Sequence, residues 1–245
     1  MAHRPSWRRR RWQAVAETSL RLGIIGAGKS GIAIARIAVA AGLHVAVAGN
    51  RPALQTAMLV KVLAPGAASL RVGQLIASSD IVVLAIPLHR WREVPLDRLA
   101  DKIVIDPMNY WPPVDGVLEE FQSATLSSSE IIQKGLPDSA LLVKTFNHLG
   151  YHDIEERVRP HGATDRIGLG LAGNHPTALN TVAAIVDRLG FDPITVGDLP
   201  AGRILQPGGP IFGALYTRQQ IEDLQPRLTD EFRSTEAAAA STIRP

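Results

Sequence analysis

The chain has 245 residues, 46% of them hydrophobic, and carries 26 lysines and arginines against 23 aspartates and glutamates, for a formal charge of +3. Five arginines and one glutamate within residues 1–20 contribute +4, so residues 21–245 carry a net charge of −1. Duplex DNA-binding proteins need a basic surface that displaces counterions from phosphates, which argues against nucleic acid as a partner. The absence of cysteine excludes disulfides and thiolate metal ligands and fits a reducing compartment.

Neither a membrane span nor an export signal is expected. The longest apolar stretch, residues 31–49, is interrupted by Arg36 and His44, whereas a spanning helix needs about 20 nearly uninterrupted apolar residues. The arginine run at residues 8–11 is not followed by the apolar core of a signal peptide. We therefore expect a cytoplasmic protein with no membrane partner. Its expected parts are a basic disordered arm, one folded domain and a disordered tail: residues 1–19, 20–225 and 226–245.

Apolar runs of strand length alternate with helical patterns along the chain. The predicted strands are residues 20–25, 44–48, 81–86, 103–105, 141–146, 167–172 and 194–196. The predicted helices are residues 32–41, 53–63, 72–78, 91–100 with a break at Pro95, 127–135 and 176–189. Residues 107–117 are rich in proline and are predicted to form a loop. This alternation indicates an α/β fold with a parallel sheet and right-handed crossovers.

A glycine-rich segment after the first predicted strand fits two phosphate-binding motifs. Residues 26–31 contain the dinucleotide fingerprint G-x-G-x-x-G, and residues 23–30 also match the P-loop of nucleotide kinases, with Asp106 as the candidate magnesium carboxylate. A P-loop would make residues 17–22 the buried strand, although they are largely polar. The fingerprint places the apolar residues 22–25 in that strand instead, so we favour dinucleotide binding.

The fingerprint assigns a role to each position of the loop. The first glycine makes the tight turn, the second lets the backbone approach a diphosphate, and the third lets the helix pack closely. The free N–H groups at the helix N-terminus favour an anion there. The predicted fold is therefore a Rossmann-type, doubly wound, mostly parallel sheet with a small C-terminal extension. The residues expected to bind the diphosphate are Gly26, Ala27, Gly28, Lys29, Ser30 and Gly31.

The end of the second strand indicates which dinucleotide is bound. NAD sites carry an acidic residue here that accepts hydrogen bonds from the ribose hydroxyls, whereas this chain has Asn50 and Arg51. Both side chains are donors suited to a 2′-phosphate. A charge-assisted contact of this kind contributes roughly 1.5–3 kcal/mol. We therefore predict a preference for NADP(H) over NAD(H).

Three further segments, together with the loop, resemble a known family. They are residues 102–109 (KIVIDPMN), 142–148 (LVKTFNH) and 189–205 (LGFDPITVGDLPAGRIL). The chain resembles the coenzyme F420-dependent NADP oxidoreductases over roughly residues 20–215. It resembles more distantly the NADPH domain of metalloreductases and pyrroline-5-carboxylate reductase. The arginine-rich arm and Lys29 depart from the family pattern.

The resemblance implies reversible hydride transfer between NADPH and a deazaflavin, coenzyme F420, as the small-molecule redox acceptor. Such a reaction needs two stacked rings with the reacting carbons about 3–3.5 Å apart in a dry pocket. We also expect a homodimer. The residues expected along the nicotinamide ribose are Ala85, Ile86 and Pro87, and those expected to orient the carboxamide or the second ring are Asn109, Asn147 and His148, the last two as positional catalytic candidates.

Several interpretations stay open. The acceptor of such a reductase is a deazaflavin or, alternatively, a flavin, a ferric complex or an imine, and a non-catalytic NADP(H) sensor is an interpretation of another class. His89 and Trp91 either line the acceptor pocket or form a surface turn, and residues 208–212 form either a lid or a dimer contact. No spacing of His, Asp or Glu fits a metal site; His152 and His161 are expected in surface loops.

Overall fold

The computed structural model describes residues 20–123 and 125–224. Its sheet contains the strands β1 (Arg21–Ile25), β2 (His44–Ala48), β3 (Ala68–Ser69), β4 (Ile81–Leu84), β5 (Ile103–Asp106), β6 (Leu141–Lys144), β7 (Gly168–Gly173) and β8 (Asp192–Gly197). Its α-helices include α1 (Lys29–Ala40), α2 (Ala53–Leu63), α3 (Val72–Ser78), α4 (Pro112–Asp115), α5 (Ser128–Gly135), α6 (Tyr151–Glu156) and α7 (Pro176–Arg188). The predicted arm (1–19) and tail (226–245) lie outside the described residues.

The strands form one sheet in the order β3-β2-β1-β4-β5-β6-β7-β8, and all neighbouring strands are parallel except β6 and β7. This confirms the predicted α/β fold with a mostly parallel, Rossmann-like sheet. From β1 the chain moves outward through β2 and β3, then returns to the other side of β1 for β4. The order therefore reverses between β1 and β4, and open α/β sheets bind ligands at the carboxyl ends of the strands at such a point.

The antiparallel strand β7 extends the sheet past the carboxyl end of β6. Lys144, the last residue of β6, pairs with Ala172, so residues 168–171 continue beyond β6 beside residues 145–148. Helix α7 then connects β7 to the parallel strand β8. Strand β7 thereby lies beside the segment that follows β6, and β8 pairs with the other edge of β7.

The strand residues alternate between two apolar cores, one on each face of the sheet. Val83 and Ile105 pack in the core that contains α1 and α7, whereas Val82 and Val104 pack in the core that contains α3 and α5. A parallel sheet covered on both faces has continuous apolar strands for this reason. Packing on both faces holds the sheet in place, and with it the carboxyl edge where the predicted site residues lie.

The segments at that edge differ from the expectations. Residues 107–117, predicted as a loop, contain the short helix α4, because the carboxylate of Asp115 accepts hydrogen bonds from the backbone N–H groups of Trp111 (2.8 Å) and His89 (3.1 Å). The single helix predicted at residues 91–100 is instead a pair of 3-10 turns, Leu88–Glu93 and Leu96–Leu99, separated by Val94 and Pro95.

Other differences concern short elements. The short strand β3 and the helix α6 were not predicted, since two and six residues are too few for a periodic pattern. The predicted strand 141–146 ends at Lys144, because Phe146 adopts a left-handed φ of 65° that a strand does not accommodate. Within the described residues no helix combines the length and apolar character needed to cross a membrane.

Candidate functional site

A cleft of about 440 Å³ opens at the switch point between β1 and β4. It brings together three predicted groups: the first half of the glycine loop, the pair that follows β2 and the segment that follows β4. The lining residues predicted from the sequence are Gly26, Ala27, Gly28, Asn50, Arg51, Ala85, Ile86 and Pro87. A larger hollow of about 610 Å³ lies beside the C-terminal ends of α1 and α7, where the helix dipoles disfavour anions, and it contains none of these residues.

The glycine loop is pressed against the end of β4. A Cβ atom on Gly26 would lie 1.9 Å from the backbone oxygen of Ala85, and Gly26 also has a φ of 124°, so only glycine fits. A Cβ atom on Gly31 would lie 2.0 Å from the backbone oxygen of Gly26. A Cβ atom on Gly28 would meet nothing within 4 Å. The loop is therefore tightly packed at Gly26 and Gly31. Its backbone is open at Gly28, which lines the cleft.

The N-terminus of α1 supplies an anion site beside this opening. The helix begins at Lys29, three residues earlier than predicted, and Gly28 is its N-cap. No side chain caps the helix, and its first turn contains no acidic residue, so its terminal N–H groups have no side-chain acceptor among the described residues. Free N–H groups and the positive end of the helix dipole bind phosphate at such positions. The open backbone at Gly28 and the uncapped helix fit the diphosphate of a dinucleotide.

The P-loop interpretation does not fit the structure. Gly23 would open a P-loop, but it lies within β1, where a Cβ atom would be 2.4 Å from the Cδ2 atom of Leu75 on α3. Asp106, its candidate magnesium ligand, is fully buried and pairs with Lys144. Gly23 is thus a close-packing residue of the sheet.

Arg51 lies at the rim of the cleft with its side chain exposed. Its backbone oxygen accepts a 3.1 Å hydrogen bond from the hydroxyl of Thr56, which anchors the turn between β2 and α2. No ion pair among the described residues involves Arg51, and β2 is followed by Gly49 and Asn50 instead of a carboxylate. A guanidinium in this setting suits a phosphate ester.

Lys29 and Ser30 do not line the cleft, although both are exposed. The ammonium of Lys29 donates a 3.0 Å hydrogen bond to the hydroxyl of Tyr151 and lies 4.7 Å from the centre of that ring. Tyr151 is the first residue of α6, so Lys29 ties the start of α1 to the start of α6. The expected contribution of Lys29 to diphosphate binding stays a prediction.

The far wall of the cleft was not predicted from the sequence. That wall includes Arg90, Glu93, Val94 and Pro95, which come from the 3-10 turn after β4 and the residues that follow it. The guanidinium of Arg90 donates to the carboxylate of Glu93 at 2.5 and 3.0 Å, and this hydrogen bonding lowers the pKa of Glu93 and raises the pKa of Arg90. The turn has no helical or strand periodicity, but Pro87 was a usable signal that a loop begins at the carboxyl edge.

His89 and Trp91, which flank Arg90, do not line the cleft. Trp91 is only 2% exposed and packs edge-on against Phe121, with ring centres 6.4 Å apart. Trp91 is therefore a core residue: it is not part of a surface turn, and it does not line this cleft. The Nδ1 atom of His89 lies 2.8 Å from the carboxylate of Asp115 at the surface.

Asn109 and Asn147 meet at the carboxyl edge of β5 and β6. The Asn109 amide donates to the backbone oxygen of Asn147 at 2.6 Å, and the Asn147 amide donates to the side-chain oxygen of Asn109 at 3.0 Å. The Asn147 amide also donates to the backbone oxygen of Leu205 at 2.5 Å. Asn147 is 3% exposed and its side-chain oxygen has no partner among the described residues. The half-buried Asn109 is thus the solvent-facing member of the pair.

His148 lies deeper than its neighbour. It is 1% exposed, and its Nε2 atom is 3.5 Å from the backbone N–H of Gly170 on β7. Burial, together with the nearby Lys144 charge, lowers the pKa of His148 to about 4, against a backbone hydrogen bond with Gly168 that raises it. The imidazole is therefore neutral at pH 7. This position supports a role in holding the segment against β7 in preference to proton transfer.

Comparisons with known proteins agree with this geometry. Residues 21–110 match the model of the family described as NADP oxidoreductase coenzyme F420-dependent. The matched region contains β1 to β5 and all the residues that line the cleft. It therefore confirms the predicted class, an NADP-dependent oxidoreductase. No curated protein sequence matches the chain.

Solved structures share the fold over most of the chain. A hypothetical protein of Sinorhizobium meliloti has a TM-score of 0.71 and 26% identity, covering 84% of this chain and 99% of its own. A protein of Arthrobacter sp. FB24, assigned as an F420-dependent NADP-reductase, has a TM-score of 0.64 and 24% identity, covering 75% and 87%. A reductive aminase of Aspergillus terreus, solved with NADPH, shares the fold alone (TM-score 0.54, 16% identity, covering 75% and 57%).

The buried His148 predicts a specific dependence of stability on pH. Since the pKa of His148 is lower in the folded state (about 4) than its usual 6.5, the unfolded chain binds the proton more readily, and stability falls as the pH drops from about 6.5 towards 4. Lowering the pH from about 7.5 to 5 should therefore reduce the free energy of unfolding by about 2 kcal/mol through this group, since the slope is about 1.36 kcal/mol per pH unit between the two pKa values. The variant His148→Gln should lose that much less stability over the same interval, as measured by urea unfolding. An equal loss in both proteins would contradict a neutral, buried His148.

Proposed function

We propose that this protein transfers a hydride between NADP(H) and a deazaflavin of the coenzyme F420 type. The cleft is the observation that supports NADP(H) as one of the two reactants. It combines an open backbone at Gly28, an uncapped helix N-terminus and the guanidinium of Arg51, which has no ion pair among the described residues. The deazaflavin half is supported by the description of the matched family.

In this proposal the chain acts by binding and orienting. The N–H groups at the start of α1 hold the diphosphate, and Arg51 holds the 2′-phosphate. Residues 85–87 lie along the nicotinamide ribose, and Asn109 and Asn147 offer amide groups at the carboxyl edge. The bound NADP(H) supplies the hydride. Because Asn147 is buried and His148 is neutral and buried, we propose that they position the loop and do not exchange protons with a substrate.

The NADP(H) half is tested by the variant Arg51→Ala. Loss of one charge-assisted contact, roughly 1.5–3 kcal/mol, should weaken NADPH binding by about 10- to 100-fold and leave NADH binding nearly unchanged. Calorimetric titration of both nucleotides measures the two affinities. The control Arg92→Ala removes an equal charge from a side chain that is 61% exposed, outside the cleft and paired with Glu120. Equal affinities of the wild-type protein for NADPH and NADH would defeat the assignment of Arg51.

The acceptor is tested by mixing the protein with NADPH and oxidised deazaflavin. We expect the deazaflavin absorbance to bleach with an equimolar loss of NADPH, and mixtures lacking either protein or NADPH to stay unchanged. Turnover of free flavin without bleaching of the deazaflavin would replace the proposed acceptor. Tight NADPH binding without turnover of any acceptor would identify a non-catalytic NADP(H) sensor.

We also retain the homodimer as a proposal. Helix α2 exposes an apolar stripe at four-residue spacing: Leu54, Met58 and Val62 are 74%, 63% and 73% exposed. Exposed apolar patches of this kind mark protein contacts, and the single charged residue of the helix, Lys61, leaves the stripe uncharged. Sedimentation should show a dimer that Met58→Glu shifts towards monomer. A monomer at all concentrations would contradict this proposal.

A further inference from the structure

A buried ion pair lies at the carboxyl edge of the sheet, directly below the asparagine pair. Asp106 and Lys144 are the last residues of β5 and β6 and face each other in the register of the two strands. Their side chains are 0% and 1% exposed, and the Lys144 ammonium is 3.2 Å from a carboxylate oxygen of Asp106. The pair therefore lies within the protein at the position where both strands end.

This ion pair holds the backbone of the residue that precedes Asn109. One carboxylate oxygen of Asp106 accepts a 2.9 Å hydrogen bond from the N–H of Met108. The ammonium of Lys144 donates to the backbone oxygen of the same Met108. The other carboxylate oxygen accepts a 2.6 Å hydrogen bond from the hydroxyl of Ser129 on α5. Both polar groups of the Met108 backbone are thus fixed by one charged pair.

The hydrogen bonds continue from Met108 to the candidate site. Asn109 follows it directly and forms the reciprocal amide contact with Asn147, whose own amide reaches Leu205. Asn147 lies only three residues after Lys144, so the network leaves the end of β6 and returns to the segment that follows it. Any displacement of the ion pair would move both asparagines together.

Stability alone does not account for such a pair. Removing two charges from water costs several kcal/mol per ion, and apolar replacement of a buried pair is often neutral or stabilising. Burial also lowers the pKa of Lys144, against the attraction of Asp106, which raises it. What an apolar pair does not supply is the geometry: two directed hydrogen bonds to one peptide backbone. The retained charges therefore point to control of the loop conformation.

We propose that Asp106, Ser129 and Lys144 are positioning residues that hold Asn109 and Asn147 in the arrangement that receives the nicotinamide end of NADP(H). This inference rests on the proposed function, because it assumes that NADP(H) extends from the cleft to the asparagine pair. In this arrangement the cleft binds the adenosine and the phosphates. The buried network positions the residues at which the hydride is exchanged.

The test compares NADPH with 2′-phospho-ADP-ribose, a fragment that retains the adenosine, 2′-phosphate and diphosphate but lacks the nicotinamide. In the double variant Asp106→Asn/Lys144→Met both charges are removed, so no unpaired charge stays buried.

We expect the variant to bind the fragment within about threefold of the wild-type affinity. It should lose most of the wild-type preference for NADPH over the fragment, about 10-fold or more for two to three misplaced hydrogen bonds. Its kcat should fall by about 100-fold, because a misplacement of 1 Å has effects of this size.

Two further variants separate positioning from general destabilisation. Val143→Ala truncates a fully buried side chain of the same strand, in the core on the face of the sheet that contains α1 and α7, and should lower thermal stability without changing the NADPH-to-fragment ratio. Ser129→Ala removes one hydrogen bond of the network and serves as the test if the double variant does not fold; it should lower the ratio by about threefold.

The outcomes distinguish the two proposals. A wild-type protein that binds neither NADPH nor the fragment would overturn the proposed function. A wild-type preference for NADPH that survives in both Ser129→Ala and the double variant would overturn the positioning role and leave NADP(H) binding intact. An equal loss of the ratio in Val143→Ala would also overturn it, because it would attribute the effect to lowered stability.

Discussion

The close approach of the glycine loop to the end of β4 is the constraint on which the site depends. Gly26 packs against the backbone of Ala85 at a distance that no side chain permits, and Gly31 packs equally closely on Gly26. These two contacts place the N-terminus of α1 at the switch point of the sheet. Because the contacts are between backbone atoms, the phosphate-binding geometry exists before any ligand arrives, and little conformational entropy is lost when one binds.

The two halves of the site are built by different means. The cofactor half consists mainly of backbone N–H groups and one exposed guanidinium, and the surrounding loop is held by main-chain contacts such as the 2.8 Å bond from Gly26 to Ala48. The asparagine network at the carboxyl ends of β5 and β6 consists of side chains held by other side chains, with the Asp106–Lys144 pair at its base. A backbone site is tolerant of sequence change, whereas a side-chain network depends on every member.

This difference explains how far the sequence could predict the structure. The helices 53–63 and 72–78 were predicted with the bounds that the structure has, because their ends are marked by local signals. The cleft residues of the glycine loop follow from one short motif. The pairing of Asp106 with Lys144 depends on the register of two strands separated by 34 residues of chain, and no local pattern encodes it. Arg90 and Glu93 were missed because a 3-10 turn has no periodic signature.

Several locally unfavourable features lie in the segment that follows β6. Phe146 adopts a φ of 65° between Lys144 and Asn147, a conformation that costs of order 1–3 kcal/mol for a residue of this type. Thr145, Asn147 and His148 each bury a polar atom without a partner among the described residues, and such atoms carry a further desolvation cost. These features of residues 145–148 do not stabilise the fold. What the unusual turn secures is the position of Asn147, which it brings to Asn109 at the carboxyl edge.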